Sequence, residues 1–304
     1  MKSQVLCYGG ICVDNIIHVP YMPTSGIATT PTHQQFQLGG GATQTAIWLA
    51  NWKVPVALSG NAIGTDLYAQ QILKELREFK TFDTTQIHQK AHVETPYTRA
   101  IIPPSGDRYL IEIGYDIVPM CPAKDLNLDN IEIVTVNFYY NNAEQETQRL
   151  AKRAKAEGIM VIASDVLDED NDLFAISDIL INSRAVMEKM LPSENHRDYS
   201  VILQAKHGGI VIMTDGENRV WVINREGQTF SIDVPQVKIY DTTGAGDAFR
   251  AGLIYGILQN WDLEASVKLA VASGTLQVKR NASTTPPASF EETLSLANTL
   301  TVIH

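Results

Sequence analysis

Short apolar runs that end in glycines or polar turns alternate with helix-length amphipathic stretches along most of this chain, and that alternation admits few folds. VLCYGG at residues 5–10 reads as a strand stopped by two glycines, and ATQTAIWLANW at 42–52 as a helix behind a triple glycine. VPVALSGNAIG at 54–64 is a strand and turn, and DLYAQQILKELREF at 66–79 an amphipathic helix. IEIVTVNF, IMVIASD, DILIN and IVIMTDG read as further strands, with the helix EQETQRLAKRAKAEG between the first two. AGDAFRAGLIYGILQ, LEASVKLAVASGTLQVKR and SFEETLSLANTL make the carboxyl-terminal third helical. Gly158 and Gly209 fall where helix ends are expected. The succession specifies an α/β fold with a mostly parallel central sheet flanked by helices.

Two stretches break this rhythm. Residues 11–38 read as extended segments around a Pro/Thr/Ser/Gly turn, and 94–119 as a hairpin with a Pro-Ser-Gly-Asp turn. They form either two edge hairpins or one small β-sheet standing as a lid over the mouth of the main sheet, where open α/β folds bind ligands. Repeats, low-complexity tracts and linker-like boundaries are absent from the sequence, so residues 1–304 read as a single domain. A chain of 304 residues buries about three quarters of its unfolded surface and needs no disulfide or metal staple.

A net charge of −10 argues against a general nucleic-acid or anionic-membrane surface, although a locally basic site still allows an anionic substrate. Three cysteines, Cys7, Cys12 and Cys121, form no CxxC pair and leave one odd, as in a reducing compartment. The opening MKSQVLCYGG lacks the apolar stretch of a signal peptide, and no run approaches the 18 apolar residues of a membrane span. A cytoplasmic protein is expected. The seven histidines show no metal-ligand spacing, the four tryptophans read as packing residues, and AKRAKAEG reads as the solvated face of a helix.

The segment most informative for chemistry is Asp241-Thr242-Thr243-Gly244-Ala245-Gly246-Asp247, which runs straight into the apolar helix AFRAGLIYGIL. Glycines let backbone approach an anion closely, and the first amides of a helix point outward unpaired. Such a cradle suits a phosphoryl group in transfer, with Asp247 in reach of a hydroxyl that must lose its proton. An ordinary turn with an Asp N-cap is the plainer alternative. No Gly-Lys-Ser/Thr follows, so this is not a Walker A loop, and no GxGxxG follows a strand.

DTTGAGD resembles the carboxyl-terminal signature of the PfkB family of carbohydrate kinases, the ribokinase-like group. Weaker likenesses accompany it. Gly39-Gly40-Gly41-Ala42-Thr43-Gln44 is similar to the family's amino-terminal glycine segment, with Gln44 where the family has Asn. Residues 60–66 resemble its Gly-x-x-Gly-x-Asp turn, Asp14 its diol-binding aspartate, and Thr214 and Gly216 its nucleotide-lining Thr-x-Gly. Asn182 resembles the Asn of an Asn-x-x-Glu motif that helps order magnesium, although Ala185 stands in place of the Glu and Glu188 lies one helical turn farther.

The resemblance implies a three-layer kinase fold that moves the γ-phosphoryl of ATP to a primary hydroxyl of a sugar or sugar-like alcohol. It assigns Asp247 as general base, and the backbone amides of Gly244, Ala245, Gly246 and Asp247 as the anion hole. Asp14, Gly39, Gly40, Gly41 and Gln44 are implied at the sugar, and Asn182, Thr214, Gly216, Thr242 and Thr243 at the nucleotide. Mg²⁺ is implied at the phosphates, and a monovalent cation such as K⁺ at carbonyls near Asp241 and Thr243. Arg250 either meets an anionic group on the substrate or is a solvated helix residue. Arg99 and Arg108 carry the same ambiguity, and Gly41 in place of Lys argues against a fructose-phosphate substrate. Tyr97, Tyr109, Tyr115 and Phe36 either stack on a nucleoside base or pack a lid or dimer seam, so a nucleoside kinase and a catalytically weak regulatory descendant remain alternatives. A homodimer through the lid is expected, because the apolar side of an exposed sheet needs cover.

Overall fold

The computed structural model describes residues 3–105, 109–137, 143–166, 171–192, 195–280 and 286–304. Its strands in chain order are β1 Val5–Gly9, β2 Cys12–His18, β3 His33–Gly39, β4 Val56–Gly60, β5 Phe82–Asp83, β6 Tyr97–Ile102, β7 Tyr109–Ile113, β8 Ile133–Asn137, β9 Met160–Ser164, β10 Ile179–Ser183, β11 Ile210–Thr214, β12 Arg219–Ile223, β13 Thr229–Asp233 and β14 Val302–Ile303. The helices are α1 Gly41–Asn51, α2 Leu67–Leu76, α3 Glu144–Ala156, α4 Asp172–Ile176, α5 Arg184–Met190, α6 His196–His207, α7 Ala245–Leu258, α8 Leu263–Val278 and α9 Phe290–Ala297.

Ten strands form the main sheet in the order β14-β13-β12-β11-β10-β9-β8-β1-β4-β5, parallel from β11 through β5 and antiparallel from β12 outward. The central strands are apolar throughout because both faces are covered. In β1, Val5 and Cys7 enter the core shared with α1, α7 and α8, while Leu6 and Tyr8 enter the opposite core shared with α3. Helix starts follow side-chain logic: Asp66, Asp262 and Ser289 each accept an amide hydrogen from the first turn of α2, α8 and α9.

The sequence reading located the parallel strands except the short β5, and six of the helices, but did not pick out α4, α5, α6 or the antiparallel extension β12–β14. Gly158 does follow α3 in the left-handed region. After α6 that conformation falls on Gly208, not on Gly209, a correction of one residue.

Both irregular stretches join one four-stranded sheet, β3-β2-β6-β7. Each stretch is antiparallel within itself, and the two meet through a parallel pairing of β2 with β6. Arg108 and the tip of the 94–119 hairpin lie outside the described residues. Two residues separate β1 from β2, so Asp14 hangs from the carboxyl end of the main sheet. Asn61 pins that junction: its Oδ1 accepts from Ile11 N at 2.7 Å and its Nδ2 donates to Ile11 O at 3.0 Å. Asp66 ties the hairpin down by accepting from both Thr95 N and Thr95 Oγ1 at 2.8 Å.

Candidate active site

Two helices begin at the same spot above the carboxyl ends of β1 and β8, and neither start carries a side-chain cap. Gly40 precedes α1 with φ +92°, and Gly244 precedes α7 with φ +75°, a left-handed turn that suits glycine. Uncapped first amides make each start favourable for negative charge. Of the four expected anion-hole amides, that of Ala245 donates back to Thr242 O at 3.3 Å.

Asp247 stands in the first turn of α7 with its side chain 17% exposed. Burial pushes its carboxyl up from 3.8 to about 6, against the attraction of Arg250 and the side chain of Asn137, with Asp165 and Asp14 adding to the rise. Gly41 is packed so tightly here that a Cβ would fall 2.2 Å from Asn137 Nδ2 and 2.8 Å from Asp247 Oδ1. A Cβ on Gly39 would fall 2.6 Å from Asp14 Oδ1. The glycine segment therefore gives room to both acids.

Arg250 is corrected from the solvated helix residue that sequence allowed: it is 3% exposed, since one turn beyond Asp247 the α7 helix has entered the core. Its guanidinium donates to Ser164 Oγ at 3.0 Å, Thr45 Oγ1 at 3.2 Å and Asn137 Oδ1, and lies 3.5 Å from Asp247 Oδ1. All four partners belong to the protein, which explains how a cation is accommodated in the interior. Asp165, beside this cluster, is raised by burial and accepts from Ser183 N at 2.8 Å. Sequence reasoning missed Asn137, Ser164 and Asp165. Their signal was position alone, at or just past the carboxyl ends of parallel strands.

On the small sheet, Asp14 pairs in register with Gln37 and Thr98, which share its face, and Gln37 Nε2 reaches Asp14 Oδ2 at 3.4 Å. Thr98 Oγ1 meets the Tyr115 hydroxyl at 2.7 Å. Gln44 turns its amide nitrogen to its own chain, donating to Leu38 O. Phe36 and Tyr97 are in register with Asn15 and Val13, on the face away from Asp14, and both pack on Tyr68 of α2. Those two rings cover a helix and are not available to a base over Asp14, which leaves the packing alternative for them. Arg99 lies on that same far face, exposed, with its guanidinium 5.6 Å from the Tyr97 ring.

On the other side of the α7 start lies a cleft of ≈ 320 Å³. Thr214, Gly216, Thr242, Ala245 and Gly246 line it together with apolar walls from Val220, Val237 and Phe249. Ala185 lines it too, while Glu188 is exposed one turn along α5. Asn182 is wholly buried and not on the wall, and neither polar atom of its side chain has a hydrogen-bond partner among the described residues. Thr243 and Asp241 face one another: Thr243 N and Oγ1 donate to Asp241 Oδ1 at 2.9 and 2.6 Å. Among the described residues no group of three or more His, Cys, Asp or Glu is placed to hold a metal ion.

A parallel sheet with an apolar cleft beyond its strand ends, two uncapped helix starts and a buried acid beside them is an open α/β fold with a ligand site at its strand ends. The model of the pfkB family of carbohydrate kinases matches residues 2–289, and the chain belongs to that family. It is 23% identical over 293 residues to the ribokinase of Lactococcus lactis, covering 91% of each chain, and 22% identical to that of Haemophilus influenzae, covering 97% of this chain and 98% of the other. Among solved structures, the Arabidopsis thaliana ribokinase complexed with ribose and ATP superposes with a TM-score of 0.84 at 19% identity, over 98% of this chain and 99% of that one. The nucleoside kinase of Methanocaldococcus jannaschii gives 0.80 at 18% identity over 98% and 99%. The chain is thus a ribokinase-fold enzyme of the class that phosphorylates alcohol groups.

Proposed function

We propose that the protein transfers the γ-phosphoryl of ATP to a primary hydroxyl of a sugar or sugar-like alcohol. The observation that carries this reading is Asp247, a carboxylate at an uncapped helix start between the Asp14 face of the small sheet and the apolar cleft. The cleft takes the nucleotide, with Thr214, Gly216 and Thr242 along it, and the polyol lies against Asp14, a carboxylate able to accept from two neighbouring hydroxyls. Asp247 takes the proton of the attacking hydroxyl as the oxygen closes on phosphorus. The amides of Gly244, Gly246 and Asp247 then receive the charge that builds on the phosphoryl oxygens. Mg²⁺ arriving with the nucleotide would supply neutralisation of charge on the leaving diphosphate. The small sheet acts as a lid that excludes water while the hydroxyl is in place.

The test is ADP release with Mg²⁺ and ATP against a panel of pentoses, hexoses, sugar acids and nucleosides. Turnover of a neutral sugar is expected. Turnover of nucleosides alone would transfer the reading to a nucleoside kinase, and ATP binding without turnover of any alcohol would sink the kinase reading. The three cysteines are free and buried, in keeping with a cytoplasmic setting.

The small sheet also supports a homodimer. Its edge strand β7 exposes Tyr109, Leu110 and Ile111 by 47–54%, with Ile117 76% exposed nearby, and an unpaired apolar edge invites another strand. A second copy meeting β7 edge to edge covers it. Sedimentation should show a dimer for the wild type and a monomer for Ile111→Glu; a monomeric wild type would refute this assembly.

A further inference from the structure

The family likeness implies a monovalent cation at carbonyls near Asp241 and Thr243, but in this chain the Thr243 carbonyl has another partner. Gln277, in the last turn of α8, is 5% exposed, and its Nε2 donates to Thr243 O at 2.9 Å. The amide cannot be turned the other way. Trp48 Nε1 donates to Gln277 Oε1 at 3.2 Å, and an indole nitrogen offers a hydrogen only, so the oxygen faces Trp48 and the N–H₂ faces the loop. A Cβ on Gly244 would lie 3.5 Å from the same Nε2, so the amide sits against the left-handed turn that opens α7. Tyr240 N and Asp241 N, which begin the loop, both donate to Val278 O, at 2.7 and 3.2 Å.

A bound cation needs oxygen lone pairs converging on it. Here a donor, with partly positive hydrogens, stands against the carbonyl concerned, and the Thr243 hydroxyl and amide are spent on Asp241. Among the described residues, this donor set does not fit a monovalent cation at Thr243.

We propose that Gln277 is a positioning residue that replaces this cation: held by Trp48, its amide fixes the Thr243 carbonyl and so aims the α7 amides without K⁺. The inference rests on the proposed function only in taking those amides as the receptor of nucleotide phosphates.

The test compares potassium chloride with choline chloride at equal ionic strength, by thermal unfolding of the free protein and by calorimetry of ADP binding. Wild type is expected to show the same Tm and, within about twofold, the same ADP affinity in both salts. Gln277→Glu keeps the side-chain shape and replaces the donor with a charged oxygen. Loss of one oriented hydrogen bond predicts ADP binding about tenfold weaker in choline, and the new carboxylate predicts recovery in potassium with a Tm that rises in potassium only for this variant. Gln277→Leu, which neither donates nor accepts, should lose the same affinity in both salts. A potassium-dependent rise in wild-type Tm or ADP affinity overturns the proposal, as does unchanged ADP affinity in both variants. If wild type binds no ADP in either salt, the nucleotide reading fails instead, and the Tm of the free protein in the two salts still decides the cation question.

Discussion

Replacing Asp247 with Asn should abolish turnover while leaving the fold intact and somewhat more stable at neutral pH. Removing a general base typically lowers kcat by about 10²–10⁴-fold, and Arg250, the charged partner closest to Asp247, is a cation that cannot take up a proton in its place. The stability effect follows from the raised pKa. Between 3.8 and about 6 the folded protein holds a proton on Asp247 that the unfolded chain has already released. Stability from this group is therefore present below 3.8 and declines as pH rises through 6, by about 2–3 kcal/mol. An amide resembles the protonated acid and escapes that loss. Thermal unfolding should show Asp247→Asn at or above the wild-type Tm at pH 8, with the difference closing below pH 4. Retained turnover would remove Asp247 from the base role. For wild type, the acid limb of kcat/KM should fall with an apparent pKa near 6.

Arg250→Met should have the second large effect, on both stability and pH dependence. The guanidinium is the common partner of Ser164, Thr45, Asn137 and Asp247, and its removal leaves these groups buried without it. Breaking a buried ionic cluster from one side costs on the order of 3 kcal/mol or more. The lower end applies because Asp247 can take up a proton; for a chain of 304 residues that corresponds to a fall in Tm of roughly 5 °C. Arg250 holds the Asp247 pKa down, so without it burial, Asp165 and Asp14 all push the same way and the acid limb of kcat/KM moves above 6. Arg250→Lys keeps the charge but not the fork, and is expected to leave the acid limb near its wild-type position while losing stability. An unshifted limb in Arg250→Met would disconnect Arg250 from Asp247.

How legible the site was depended on how local its signals are. Asp14, Gly39–Gly41 and Asp247 are readable because a glycine before a helix, or an acid after a strand, is a feature of a few adjacent residues. Asn182 is at the strand end where it was expected, yet only the fold shows it wholly buried, its amide without a hydrogen-bond partner among the described residues. Arg250 is in sequence a lone cation on an apolar helix, which leaves a substrate anion or solvent as its partner; only the fold shows it buried among protein groups. Its partners come from α1, β8 and β9, as many as 205 residues away.

Local chemistry, then, was enough for the alternation that yields a parallel sheet, for the glycine turn that opens α7, and for two strand-like inserts. These depend on period, turn propensity and chain reversal within a dozen residues, and they survive whatever the rest of the chain does. Tertiary structure alone decided that the inserts join by a parallel β2–β6 pairing, that β12–β14 extend the sheet antiparallel, and that Gln277 reaches Thr243 from 34 residues away with Trp48 fixing its orientation from 229. Such contacts gain their energy only after distant segments have been brought together and water expelled, so no stretch of the sequence carries them by itself.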